Sequence, residues 1–125
     1  MTNSRIVVIE DDDDLRRLIA MLLSSEGYDV SAFASAKDGL LAVENGLPAD
    51  LIVLDLMMPD MNGWEFCDHR AGSATLAKVP VLVVTARRDT AGLTGVTEVL
   101  LKPFDGLDLL AAVARTREHT SGGDA

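Results

Sequence analysis

Cysteine occurs once, at Cys67, so no disulfide can form within the chain, and one cysteine with two histidines cannot assemble a zinc site. A reducing compartment is expected. Long apolar runs are missing too: none exceeds six residues, Leu18 to Leu23 being one, so nothing here spans a bilayer as a helix. Met1-Thr2-Asn3-Ser4-Arg5 lacks the apolar segment of a signal peptide. Positive charge is scarce. Eleven Lys and Arg stand against twenty Asp and Glu, a formal net charge of -9, and that field repels nucleic acid and anionic lipid. The expectation is a cytoplasmic protein that makes no direct contact with nucleic acid or membrane. Internal repeats and low-complexity segments are absent as well.

What is present is a folding chain. Over 125 residues, 48% are hydrophobic, enough for one domain around one core. Ile6-Val7-Val8-Ile9, Leu51-Ile52-Val53-Leu54 and Val81-Leu82-Val83-Val84 are continuous apolar runs, the pattern of strands buried on both faces of a parallel sheet. Tyr28, Val30 and Ala32 alternate with more polar neighbours, as in an edge strand, and Val99-Leu100-Leu101 gives a last short strand.

Between these runs the period changes. Leu15, Leu18, Ile19, Leu22 and Leu23 recur with helical spacing, and Gly27 stops that helix. Asp13 or Asp14 is expected to cap it, with Asp12 a further cap or a neighbour of the site. Ser35 should cap a second helix carrying Ala36, Leu40 and Val43, ended near Asn45-Gly46-Leu47-Pro48. A third should run from about Asn62 to Arg70, and Phe104, Leu107, Leu110, Ala111 and Ala114 mark a final one. The domain then occupies residues 1–119, and residues 120–125 read as a frayed tail or the start of a linker. Strands alternating with helices imply βαβ units, with all strand ends on one edge of the sheet.

That edge carries the chemistry. Ligands of open parallel sheets bind beyond the carboxyl ends of the strands, and four strands here finish on Glu10 and Asp11, on Asp55, on Thr85 and on Lys102. Three gathered carboxylates repel one another, so they need raised pKa values or a bound cation. An oxygen-rich site of this kind suits a hard ion such as Mg²⁺. Mg²⁺ and Lys102 would remove the repulsion between an attacking Asp55 carboxylate and a phosphoryl group. Thr85 would donate its hydroxyl to the same oxygens, and small Ala86 beside it leaves the approach open. His69 and His119 are expected on helix surfaces. Packing and loop shape account for Met57, Met58 and Met61, and Trp64 is expected to pack.

With these residues in place, the chain resembles a receiver domain of bacterial two-component response regulators, from Arg5 to about Glu118. Asp55-Leu56-Met57-Met58-Pro59-Asp60-Met61-Asn62-Gly63 matches that family's D-x-x-M-P-x-x-x-G, Lys102-Pro103-Phe104 matches its K-P-F, and the spacings from Asp11 to Asp55 to Thr85 are usual for it. The resemblance implies a flavodoxin-like, doubly wound five-stranded parallel sheet in the order 2-1-3-4-5. It implies that Asp55 accepts a phosphoryl group from a histidine kinase, a phosphotransfer protein or a small phosphodonor, and that the aspartyl phosphate changes partner binding. Mg²⁺ would be held by Asp11, Asp55 and the carbonyl of Met57, with Glu10 acting through water. Thr85, Ala86 and Lys102 would bind the phosphoryl oxygens, and the Lys102-Pro103 peptide is expected to be cis.

Two departures carry consequences. The segment from Thr85 to Lys102 is about five residues shorter than usual, more than a helical turn, so the helix between the last two strands should be short or missing. Val99 stands where the family commonly has Tyr or Phe, a ring that switches together with the residue at Thr85. Any phosphorylation-dependent dimer is therefore expected to use a non-standard surface. Two competing functions have specific signatures. A haloacid-dehalogenase-type phosphohydrolase needs an acid two residues after its nucleophile, where this chain has Met57. A receiver-like binding module that works without phosphorylation would be expected to have lost site residues, and this chain keeps them.

Overall fold

The computed structural model describes residues 4–93 and 95–123, with residues 118–123 described by their backbone alone. Strands β1 (Arg5–Ile9), β2 (Asp29–Phe33), β3 (Leu51–Asp55), β4 (Val81–Thr85) and β5 (Glu98–Leu101) form one sheet in the order β2-β1-β3-β4-β5, every neighbouring pair parallel. Helices α1 (Asp13–Ser25), α2 (Ala36–Glu44), α3 (Gly63–Ala71) and α4 (Gly106–Gly123) connect or succeed them, with one 3₁₀ turn at Leu76–Lys78 before β4. This is the doubly wound topology expected from the alternating pattern. The Lys102-Pro103 peptide is cis. α4 continues through Thr120–Gly123; Asp124, Ala125 and the side chain of His119 lie outside the described residues.

Side-chain alternation along the strands builds two cores. Val7 and Ile9, Ile52 and Leu54, and Val81 and Val83 point to one face, where Leu40 and Val43 of α2 and Phe66 of α3 cover them. Ile6 and Val8, Leu51 and Val53, and Leu82 and Val84 point to the other, beneath Ile19 and Leu23 of α1 and Leu109 and Val113 of α4. β3 and β4 are buried along their whole length, which is why their sequences are apolar without interruption. A strand so constrained delivers its last residue at a fixed height on the sheet edge.

The cap of α1 differs from expectation. Asp12 is the residue in extended conformation, and its carboxylate accepts the amide of Leu15. Asp13 and Asp14 lie in the first turn and pair with Arg16 and Arg17 three residues on. The helix begins one residue earlier than a cap at Asp13 would require and two earlier than a cap at Asp14. In the second and third helices Ser35 and Asn62 cap as their residue types allow, Asn62 in a reciprocal capping box with Glu65.

Among the described residues between β4 and β5, 86–93 and 95–97, there is no helix, in keeping with the short or missing one expected from the spacing. Side-chain contacts hold this connection. The indole Nε1 of Trp64, on α3, donates to the Ala91 carbonyl at 2.7 Å, and Leu93 and Val96 pack on the core. Gly92 adopts φ +86° beside the indole, a conformation that side chains other than glycine rarely take.

Candidate functional site

The carboxyl ends of β1, β3, β4 and β5 meet in a cleft of about 420 Å³ lined by Asp55, Met57, Thr85, Ala86, Arg87 and Lys102. Asp55 is the last residue of β3 and is 6% exposed. Gly63 shapes the turn between Asp55 and α3: its amide donates to the Leu56 carbonyl at 2.6 Å, and a β-carbon there would collide with the Leu56 side chain. The glycine that closes the motif is therefore the residue that lets α3 start directly against the site.

One carboxylate oxygen from each of Glu10, Asp11 and Asp55 falls within 4.8 Å of the others. Glu10 is only 1% exposed, so it is a buried member of the site and not a solvated neighbour. Its carboxylate accepts the Asp12 amide at 3.2 Å and the Lys102 ammonium at 3.1 Å, while Lys102 Nζ stands 3.6 Å from Asp55 Oδ1. Asp11 is exposed at the rim. Burial first, and then the charge of Glu10, push the Asp55 carboxyl up to about 7, with Lys102 pulling the other way. A site that holds an acid so far above its ordinary value, with three carboxylates converging, has the chemistry of a divalent-cation site. The donor set fits a hard ion such as Mg²⁺: oxygens only, two carboxylates accessible from the cleft and its rim, and excess negative charge.

Thr85 closes β4 and is buried; its Oγ1 accepts the Arg87 amide at 2.9 Å. Ala86 is exposed at the mouth, and Met57 is about half exposed on the opposite lip. All the site residues read from the sequence thus come together. One that sequence patterning places only in a loop joins them: Arg87 lines the same cleft, with its guanidinium carbon 5.0 Å from the centroid of the Trp64 ring. Only its place two residues beyond a strand end could have marked it. Trp64 packs as expected and also fastens the loop. His69 is exposed and meets Glu44 at 3.3 Å across α2 and α3, away from the cleft, beside a groove of about 290 Å³.

Fold and site together define a receiver domain, a phosphoryl-signalling module on a doubly wound sheet. The chain belongs to that family: residues 6–114 match the response regulator receiver domain. It is 39% identical over 116 residues to the response regulator ArlR of Staphylococcus saprophyticus, an alignment covering 88% of this chain and 50% of that one. It is 36% identical over 122 residues to the DNA-binding response regulator MtrA of Mycolicibacterium smegmatis, covering 92% of this chain and 51% of that one. The chain thus spans about half the length of these relatives. Among solved structures, a CheY-like response regulator receiver domain protein from Methanospirillum hungatei superposes with a TM-score of 0.87 at 24% identity, covering 98% of this chain and 99% of that one. The chain is a response regulator receiver domain of two-component systems, and the phosphohydrolase reading gives way to it. Among the described residues, no helix is long and apolar enough to cross a membrane.

Proposed function

We propose that Asp55 is the phosphoacceptor of this receiver domain. The observation that carries the reading is the placement of the Lys102 ammonium 3.6 Å from a buried Asp55 carboxylate at the floor of an open cleft. An Asp55 oxygen attacks the phosphorus of a phosphohistidine, or of a small phosphodonor, in line with the bond to the leaving group. A P–O bond forms as the P–N bond breaks, and the leaving imidazole takes up a proton. Lys102 and the Thr85 hydroxyl stabilise charge on the equatorial oxygens, and Ala86 leaves room for the donor to approach. Asp11, Asp55 and the Met57 carbonyl would hold Mg²⁺, with Glu10 acting through water. When bound, the ion neutralises charge on the transferring group. The domain catalyses its own phosphorylation and hydrolysis in this sense, without turning over a separate substrate.

The phosphodonor is a histidine kinase or a phosphotransfer protein, and the aspartyl phosphate alters binding to an effector or output segment. We place the receiver unit at residues 1–119, with residues 120–125 leading out of it, and the protein in the cytoplasm. Relatives of twice the length include a DNA-binding regulator, which suits an output made by a further domain; this acidic chain would not itself contact DNA. A phosphorylation-dependent dimer would use a surface other than a helix between β4 and β5, since the described residues of that connection form none. Incubation with Mg²⁺ and phosphoramidate followed by intact-mass measurement tests the assignment. One added phosphoryl group that disappears in Asp55→Asn is expected; none would favour a binding module that works unphosphorylated, and one that survives the substitution would place the phosphoacceptor elsewhere.

A further inference from the structure

Among the described residues, the connection between β4 and β5 contains no helix, and a closed ring of four contacts ties its first half to α3. Arg87 lies over the Trp64 indole, its guanidinium carbon 5.0 Å from the ring centroid. Its Nε donates to the Asp89 carbonyl at 3.1 Å. The Asp89 carboxylate accepts the Ala91 amide at 3.1 Å, and the Ala91 carbonyl accepts the Trp64 Nε1 at 2.7 Å. Opening the ring at Arg87 would leave residues 87–91 tied to α3 through the indole hydrogen bond, with Leu93 and Val96 still packed on the core.

Arg87 is also the member of that ring that reaches the cleft. It lines the space above Asp55 together with Thr85 and Lys102, and its amide is bonded to the Thr85 hydroxyl oxygen. Among the described residues that line the resting cleft, the one ammonium is that of Lys102, and it is shared with buried Glu10. A phosphoryl group on Asp55 would bring about two negative charges and three acceptor oxygens into the cleft, where a planar guanidinium can bind two of them at once. Stacking of an exposed arginine on an aromatic ring is weak by comparison.

We propose that Arg87 is the element that reports phosphorylation: its guanidinium leaves Trp64 for the phosphoryl oxygens on Asp55, and residues 86–97 loosen from α3. The proposal rests on Asp55 being the phosphoacceptor. It assigns the changed surface to the β4–β5 loop and the adjoining end of α3.

Trp64 is the only tryptophan in the chain, so its emission reports the surroundings of this one indole, and Arg87→Met isolates the part due to the arginine. The full chain is brought to saturating Mg²⁺, and the emission at that point is the baseline. Phosphoramidate is then added while intact mass is followed in parallel. The expected result is added mass with a change in Trp64 emission, and, in Arg87→Met compared at equal phosphorylated fraction, that change lost. Faster amide exchange in residues 86–97 of the phosphorylated wild type, absent from Arg87→Met, would support the same conclusion independently. Added mass with unchanged emission and unchanged exchange overturns the proposal while leaving Asp55 as phosphoacceptor. So does an emission change that persists undiminished in Arg87→Met. Absence of added mass removes both readings.

Discussion

Lys102 rests on Glu10 more closely than on Asp55: Nζ is 3.1 Å from Glu10 Oε1 and 3.6 Å from Asp55 Oδ1. The lysine therefore compensates a buried carboxylate beneath the site before it compensates the one at the cleft floor. Replacing Glu10 by Gln removes the competing charge and the second of the causes that raise the Asp55 carboxyl. The Asp55 titration midpoint should fall below its starting value of about 7. A decrease on the order of one unit is expected from losing a like charge at this range. Carbon-13 NMR of the side-chain carboxyl in chelator-treated protein measures it; a midpoint that stays put or rises would show that burial alone sets the value.

The same elevation predicts how stability responds to pH without metal. The folded value is about 7 against an ordinary 3.8, so the folded state holds a proton that the unfolded chain has already released over that interval. Stability from this group is complete below about 3.8, declines as pH rises, and is gone above about 7. Asp55→Asn removes the titration. With chelator present, the variant should exceed the wild type in unfolding free energy by more at pH 8 than at pH 5, by roughly 1–3 kcal/mol after allowance for solvent at the cleft. Denaturant titrations at both values decide it, and an equal difference at the two would contradict the assignment of that proton to Asp55.

Divalent cation binding should obey the same equilibrium. An ion can be held only after Asp55 loses its proton, so Mg²⁺ affinity should climb with pH toward 7 and flatten above it. Millimolar Mg²⁺ should raise the thermal midpoint at pH 8 and do so less at pH 6, an effect set by RT ln(1 + [L]/Kd). In Asp11→Ala the rise should be largely abolished. Scanning calorimetry with and without chelator is sufficient, and an equal Mg²⁺ effect in that variant would place the ion elsewhere.

The strands and their ends were legible because the physics that makes them is local to the sequence. A strand covered on both faces has to be apolar at every position, so Leu51–Leu54 and Val81–Val84 announced themselves, and the polar residue that ends each run marked the cleft. Asp11, Asp55, Thr85 and Lys102 were found in this way. Glu10 was harder to judge, because its depth depends on β2 and β3 flanking it, and sequence does not state burial. Arg87 was missed for a related reason. Its partner Trp64 lies on a different element, and nothing in Arg87-Arg88-Asp89 distinguishes the arginine over a ring from the one beside it. The cap of α1 turned on a single peptide's backbone angles, which four successive aspartates leave undetermined.

Gly63 gives a test of how the motif shapes the site. A methyl group at this position meets the Leu56 side chain, and the amide is already committed to the Leu56 carbonyl. Gly63→Ala must therefore push α3 or the residue after Asp55 outward, an overpacking cost of roughly 1–3 kcal/mol despite the better helix propensity of alanine. Phosphoramidate labelling should slow along with it, because Asp55 precedes Leu56 directly. Gly72→Ala, at the far end of the same helix and in open contact distance of 3.7 Å from the His69 carbonyl, should leave labelling unchanged.

Trp64→Phe separates the two roles of the indole. Phenylalanine keeps most of the ring that packs on the core and can still lie beneath Arg87, but the donor to the Ala91 carbonyl is lost. Since that carbonyl sits in an exposed loop, water replaces the donor and the global cost should be only about 1 kcal/mol. The local effect should be larger: with no helix among the described residues between β4 and β5, the indole bond is a principal tie between the loop and α3. Amides 89–93 should exchange faster and limited proteolysis should cut there first, while β4 and β5 keep their protection. Uniform loss of protection across the sheet would instead mean that the tryptophan supports the core and not the loop.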